Sequence, residues 1–488
     1  MSDDARGMTD VNVEREELSL IHDTAVRILA ELGIRLDHAP MRARLAGQGC
    51  RVEGERVYIP AGLVASTLQH IPRSFTIHGR SPERHVTVGQ AAGMCRINTG
   101  IMPNIIDLDS GQVRRSTLDD VRATTRLLDA MPNVDAVYVS LVDATELPPH
   151  LVTVSDLAAT VAHTTKPLLG PGVTSRAEAE AVVAIARAVR GGDGAALSKH
   201  PLVVPFVCPV SPLFFPRDLV EALLVVAEAG LPLDVVSNPV MGLTAPYTIA
   251  GTVALGHAEV LAAAVLAHAV APGLPILNQN TPSVADMRTL SSTTGGPETG
   301  LIRRTVTLLS HQVGIPACAH GHTSSAAHDL QAGTEKALNQ LLIASARPAV
   351  LGGLGGMANV TLTSYESILL DNELYGALGR ALAGVQIDAD HLAFEAIAEI
   401  AQTGNAMASA HTVEHLRSGE VWQPGLADRR GIVQGGPPSE TSVDRARAAV
   451  RRLLATHRVE PLPERVQREI DEIVAAYDRG QRADAAHG

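Results

Sequence analysis

Three residues at alternate positions, Cys318, His320 and His322, bring sulfur and imidazole chemistry to the end of one short apolar run. In an extended chain, side chains at i, i+2 and i+4 face one side, so the three act together or not at all. Thiolate and imidazole could hold zinc, with a fourth ligand such as Cys208 from another strand. The two imidazoles could instead orient the anionic end of a substrate. The plain alternative is a buried cysteine followed by solvated loop histidines. The Cys-x-x-Cys and His-x-x-x-His spacings of zinc sites are missing around Cys318, and the sequence predicts no directly bound metal.

Other residues with chemical potential carry simpler explanations. His411-Thr-Val-Glu414-His415 matches the inverted zincin pattern, in which two imidazoles share a helix face and the glutamate acts as base. Five residues match by chance often, and a helix start bridging to the rim of a larger body explains them as well. Glu366 could anchor a cation, but Thr363-x-x-Glu366 also reads as a capping box. Gly352, Gly353, Gly355 and Gly356 lack the Lys-Ser/Thr of a phosphate loop, yet they suit the close approach of a flat macrocycle. The chain has 1 Trp, 6 Tyr and 5 Phe, so a three-ring cation cage would take a quarter of its aromatics. Tyr247 and Tyr365 are the rings expected to contribute, with Met357 and amide oxygens completing the pocket. Phe214 and Phe215, just before Pro216, read as loop packing.

Eight apolar runs alternate with helical patterns and must position these groups. The predicted strands are 93–97, 134–142, 167–170, 202–208, 233–236, 275–277, 315–319 and 349–354. The predicted helices are 117–130, 151–163, 176–189, 217–229, 248–269, 297–312, 327–346 and 364–382. Eight of each is the count of an α/β TIM (β/α)8 barrel, with a doubly wound open sheet as the competitor. Asn104–Asp107 could pair outside it. Residues 1–90 read as a helical and mixed cap, 91–385 as the barrel, and 386–488 as a carboxyl-terminal helical extension. Active sites of such barrels lie at the carboxyl ends of the strands. Here those ends are rich in amides and imidazoles and poor in carboxylates, which disfavours a divalent-metal enolase-type site. Asn278 and Asn280 point the same way along an extended chain, which marks them as a candidate pair.

The formal charge of −12 and pI near 5.9 exclude a basic nucleic-acid footprint. The charged start has no apolar leader core, and the apolar stretch 247–276 is broken by His257, Glu259, His268 and prolines. Neither a membrane nor a secretory role is expected. Four scattered cysteines fit a reducing cytoplasm.

DLQAGTEKAL (329–338), LTSYESILLDNE (362–373) and TGNAMASAHTVEHLRSGEVWQPGLADR (403–429) resemble the trimethylamine methyltransferase family of corrinoid-protein methyltransferases. GRSPERHVTVG, DLDSGQVRRSTLDDV and TTKPLLGPGV extend the resemblance over roughly residues 15–430. It departs at Ser324, Ser325, Ala326 and Ala327, where the family pattern leads one to expect a lysine and an acidic residue. The resemblance implies methyl transfer from a methylated amine to the cobalt of a corrinoid (cobalamin) carried by a cognate partner protein. No pyrrolysine is present, and a quaternary amine needs positioning and desolvation more than acid–base help. A betaine-like substrate is therefore expected. Its ligands would be His320 and His322, the expected catalytic pair, together with Arg96, Tyr247, Asn278, Asn280, Met357, Tyr365 and Glu366. A homo-oligomer is expected. A zinc-dependent enzyme built on Cys318, His320 and His322, or a non-catalytic binding homologue, are the alternatives.

Overall fold

The computed structural model describes residues 13–81, 83–429 and 440–487. Most of the charged start, on which the leader-free expectation rests, lies outside them. Every predicted run overlaps a strand: β1 Cys95–Asn98, β2 Val137–Tyr138, β3 Leu168–Gly172, β4 Val203–Val207, β5 Leu233–Ser237, β6 Ile276–Asn280, β7 Cys318–His320 and β8 Val350–Leu354. The helices between and after them are α1 Leu118–Ala130, α2 Val152–His163, α3 Arg176–Val189, α4 Arg217–Glu228, α5 Ile249–His268, α6 Pro297–Val313, α7 Leu330–Ser345 and α8 Tyr365–Ala383.

The protein is mixed α/β. Strands β2 to β6 form a parallel half-barrel in sequence order, and β7, β8 and β1 form a second parallel sheet. Contacts join the two sheets at both edges. Asn278 of β6 bridges in parallel to Ala317 beside β7, and the Asp135 N–H donates to the Arg96 carbonyl at 2.8 Å.

The strands read as near-continuous apolar runs because both faces are covered. In β5, Leu233 and Val235 join the large core shared with the helices. Asp234, at the alternate position, turns to the enclosed face with Tyr138, Cys318 and Cys208 as neighbours. A hairpin, Ser74–His78 with His85–Gly89, closes one end of that face. Its Phe75, Ile77 and Val88 pack with Cys95, Ile97, Leu169, Val204 and Leu277. His78 N–H donates to Pro201 O and Arg80 N–H to Thr165 O, just before β4 and β3. The hairpin therefore plugs the amino-terminal ends of the strands and leaves the carboxyl ends for chemistry.

Local signals explain the helix limits. Thr117 and Asp120 form a capping box at α1, and Ser175 accepts from the Glu178 N–H at α3. Helix α6 stops at Gly314, whose φ of +83° suits glycine. Helix α5, long and apolar enough to span a membrane, is buried inside the body. Two of these limits differ from expectation. Helix α7 starts at Leu330 because Asp329 accepts from the Ala332 N–H. The cap of α8 is Ser364 with Ser367, one residue later than Thr363 with Glu366. Residues 388–401 split at Ala393, where φ is +51°, into α9 Ala389–Leu392 and α10 Phe394–Thr403.

The amino-terminal part is tied in by a sheet. Ile34–Leu36 pairs with Arg56–Tyr58 and, in parallel, with Phe214–Phe215. These two phenylalanines thus form a strand and not a plain loop; Arg35 lies over the Phe214 ring at 3.5 Å. Asn104–Ile106 pairs with Val113–Arg115 and Leu362–Ser364, away from β1. After α10 come α11 Ala410–His415, α12 Ser442–Thr456 and α13 Glu464–His487. Arg447 holds α12 to α8 through Glu366, and His150 holds α13 through Asp478.

Candidate functional site

Strand alternation places Tyr138, Phe206, Asp234, Gln279, Cys318 and His320 on the enclosed face. Four rings follow one another along it. Tyr138 stacks with Phe206 at 6.1 Å, meets His320 edge-on at 5.9 Å, and His320 lies 5.7 Å from His322. Glycines of and just after β8 make room: a Cβ at Gly352 would stand 2.5 Å from the His320 ring, and one at Gly356 2.7 Å from His322 Cδ2. The close approach that these glycines permit is thus taken by the chain's own imidazoles.

Burial sets the charge of the site. It drives the Asp234 carboxyl well above the usual range and the Cys318 thiol upward. His320 is lowered to about 3 by burial and by nearby Arg303. His322 is lowered well below its usual value by burial, His320, Arg303 and Lys336. Both imidazoles are therefore neutral at pH 7. Arg303, on α6, supplies a buried cation: burial lowers it only to about 9. Its Nη1–H donates to Pro282 O at 2.7 Å, beyond the end of β6.

Several buried polar atoms here have no partner: both Asp234 oxygens, Gln279 Oε1, His322 Nδ1 and Arg303 Nε. Buried polar groups are almost always satisfied, so their convergence marks where a polar ligand belongs. The rings and the acid suit a cationic centre, and Arg303 suits an anionic one. Zinc fits less well. Cys318 Sγ and His320 Nε2 lie 3.2 Å apart, but His322 Nε2 turns to Thr99 Oγ1 at 3.0 Å.

The sequence matches the family described as trimethylamine methyltransferase (MTTB) over residues 5–481. The chain belongs to this family. It is 29% identical over 465 residues to a glycine betaine methyltransferase of Desulfitobacterium hafniense, covering 95% of each chain. It is also 29% identical to a trimethylamine methyltransferase of the same species, covering 94% of this chain and 92% of the other. Trimethylamine methyltransferase MttB1 of Methanosarcina mazei is 28% identical, over 96% and 95% of the two chains. The fold is similar to that of the Methanosarcina barkeri monomethylamine methyltransferase, with a TM-score of 0.54, 11% identity and coverage of 92% and 89%.

In this methyltransferase-family chain the expected ligands separate into three groups. His320 and His322 are at the enclosed face, neutral and buried. Asn278 and Asn280 do share a face, but it is the helix-covered one. Asn278 donates to Ser310 Oγ at 2.7 Å and Asn280 to Val253 O at 3.2 Å. Gln279, between them, faces inward beside Tyr138. Arg96 also alternates away from the interior; its guanidinium is taken by Asp135 and Asn133 at 2.9 Å. Tyr365 donates to Asp120 Oδ1 at 2.5 Å, and Glu366 accepts from Arg447 at 2.8 Å, so both serve the outer layer. Met357 lines an outer cavity of about 240 Å³ with His328, Lys336 and Asp371. Tyr247 is 60% exposed in the loop after β5. At the departing segment, Ser324 N–H donates to Glu335 and Ser325 Oγ to Asp329, which makes it a hydrogen-bonded loop.

Tyr138, Phe206, Asp234, Gln279 and Arg303 were not among the expected ligands. A signal existed for one of them. An aspartate inside the run LPLDVVS has no place in a packed strand unless it turns to an enclosed polar site.

Proposed function

We propose that this protein moves a methyl group from a quaternary, betaine-like amine to the cobalt of a corrinoid held by a partner protein in the cytoplasm. The two parallel sheets are read as arcs of one (β/α)8 barrel, with the partner over the carboxyl ends of its strands. The observation that carries the reading is Asp234: a carboxyl with both oxygens unpaired, close to Tyr138 on the same enclosed face as Phe206. A cation placed beside it recovers an interaction that burial has removed. A fixed positive charge ringed by aromatics is the natural occupant. Arg303, with Nε free, suits the carboxylate of a zwitterion. Relatives named for glycine betaine and trimethylamine support the methylated-amine class.

The chemistry asks little acid–base help of the chain. Cobalt(I) of the corrinoid, the methyl acceptor, attacks the methyl carbon in line, and the C–N bond pair stays on nitrogen. The leaving tertiary amine is neutral and no proton moves. The protein's part is to orient the N–CH3 bond and to exclude water, which suits a site of neutral imidazoles and rings.

The test is a demethylation assay with the reduced corrinoid protein and a panel of glycine betaine, longer betaines, tetramethylammonium and trimethylamine. Loss of the cobalt(I) absorbance and release of a tertiary amine are measured. Quaternary amines bearing a carboxylate should react fastest. Faster turnover of trimethylamine, or no corrinoid methylation with any of them, would overturn the reading.

A further inference from the structure

We propose a divalent metal site, of the imidazole-preferring zinc class, on the carboxyl-terminal extension at Asp390, His411 and His415. His411 and His415 stand one turn apart on α11, so their rings share a face, 4.1 Å between centroids. Asp390, on α9, reaches them from a different helix. One potential ligand atom from each of the three lies within 4.8 Å of the others. His415 Nε2 is 3.2 Å from Asp390 Oδ2. Zinc–nitrogen and zinc–oxygen bonds near 2.0–2.1 Å put neighbouring tetrahedral ligands about 3.3 Å apart, so this pair is already at coordinating distance.

His415 Nε2 is shielded from solvent and, though 3.2 Å from the Asp390 carboxylate, is out of hydrogen-bond alignment with it. Next to it, His391 lies with its ring 5.1 Å from that of His415, and its Nδ1 is 2.7 Å from Asp388 Oδ1. A carboxylate on one imidazole nitrogen fixes the ring and leaves the other nitrogen as a ligand, the arrangement that supports metal-bound histidine. His391 is thus held next to the site by its own carboxylate, outside the three-ligand cluster.

The surrounding structure explains what such a metal would do. None of α9, α10 and α11 has a fully buried residue, and Leu392, Phe394, Ile397, Val413 and Leu416 are exposed. A short helical unit without a core gains most from a cross-link, and a metal bridging α9 to α11 closes the segment end to end. The role assigned to the metal is structural, a cross-link between helices. This departs from the expectation, read from the sequence, that the chain binds no metal directly. It does not rest on the methyl-transfer proposal.

The experiment uses the full chain without an affinity tag, freed of metal by chelation and titrated with zinc(II) by calorimetry, and separately with cobalt(II). One equivalent should bind. Cobalt should give the visible absorption of a tetrahedral site, and zinc should slow proteolysis within residues 385–421. The fluorescence of Trp422, the chain's one tryptophan, should report the same event. His411→Ala/His415→Ala and Asp390→Asn should weaken binding by at least ~100-fold while the far-ultraviolet circular dichroism is unchanged. No stoichiometric binding by the unaltered chain, or binding unchanged in the double variant, would overturn the proposal.

Discussion

Asn98 holds the backbone of Tyr138 from both sides. Its Nδ2–H donates to Tyr138 O at 2.9 Å and its Oδ1 accepts the Tyr138 N–H at 2.8 Å. A side-chain amide here does the work of a ladder rung between β1 and β2 and fixes the ring at the centre of the site. Replacing Asn98 by leucine leaves a buried N–H and C=O unpaired. The expected cost is about 2–4 kcal/mol, measured by urea unfolding. Substrate affinity should fall as well, because Tyr138 loses its position.

Asp234 is buried with a carboxyl pKa held well above the ordinary value. A raised acid pKa stabilises the fold below the unfolded value near 4 and removes that stability as pH rises towards the folded one. Asp234→Asn should therefore be more stable than the parent at neutral pH, with the difference vanishing below about pH 4. Thermal melts across pH 3–8 check the sign. The same variant should lose quaternary-amine binding by ~100-fold. In the parent, affinity for the quaternary amine should rise with pH, because a neighbouring cation favours the ionised carboxyl.

How much of this was legible beforehand depends on what each signal encodes. Period and length located all eight strands, since near-continuous apolar runs such as Val203–Val207 have few other uses. Parity within a run is harder. Asn278 and Asn280 were read as a pair on one face, and they are; nothing in ILNQN says that this face meets α5 and α6 and that Gln279 turns inward. Arg303 was hidden for a different reason. It lies inside a helix whose register against the strand ends is set by tertiary packing. Tyr365 and Glu366 follow a strand end in sequence, yet the intervening β-bridge and α8 carry them to the outer layer.

Glu366 is almost wholly buried, and Arg447 of α12 is its ion-pair partner at 2.8 Å. Arg447→Ala leaves a buried carboxylate uncompensated and should cost about 3 kcal/mol. Amide hydrogen exchange should rise along α12 more than along β5. Arg447→Ala/Glu366→Gln should recover part of the loss, which separates an anchor from a substrate ligand.

His320 and His322 are buried and held neutral, His320 at about 3. For a histidine lowered in the fold, stability is full above the unfolded value near 6.5 and is lost as pH falls towards the folded value. The chain should therefore weaken steeply between about pH 6.5 and 4. His320→Asn and His322→Asn should each flatten that slope. Both rings are packed, against Gly352 and Gly356, so truncation to alanine should cost about 2–4 kcal/mol by analogy with other large-to-small core changes. A stability change alone is thus uninformative about catalysis. The informative reading is methyl transfer by the asparagine variants at pH 7.5, where folding is not limiting. A loss of ~100-fold there would show that the imidazoles orient the reacting methyl group. Rates within twofold of the parent would assign the pair to packing and leave Asp234 and Arg303 to hold the substrate.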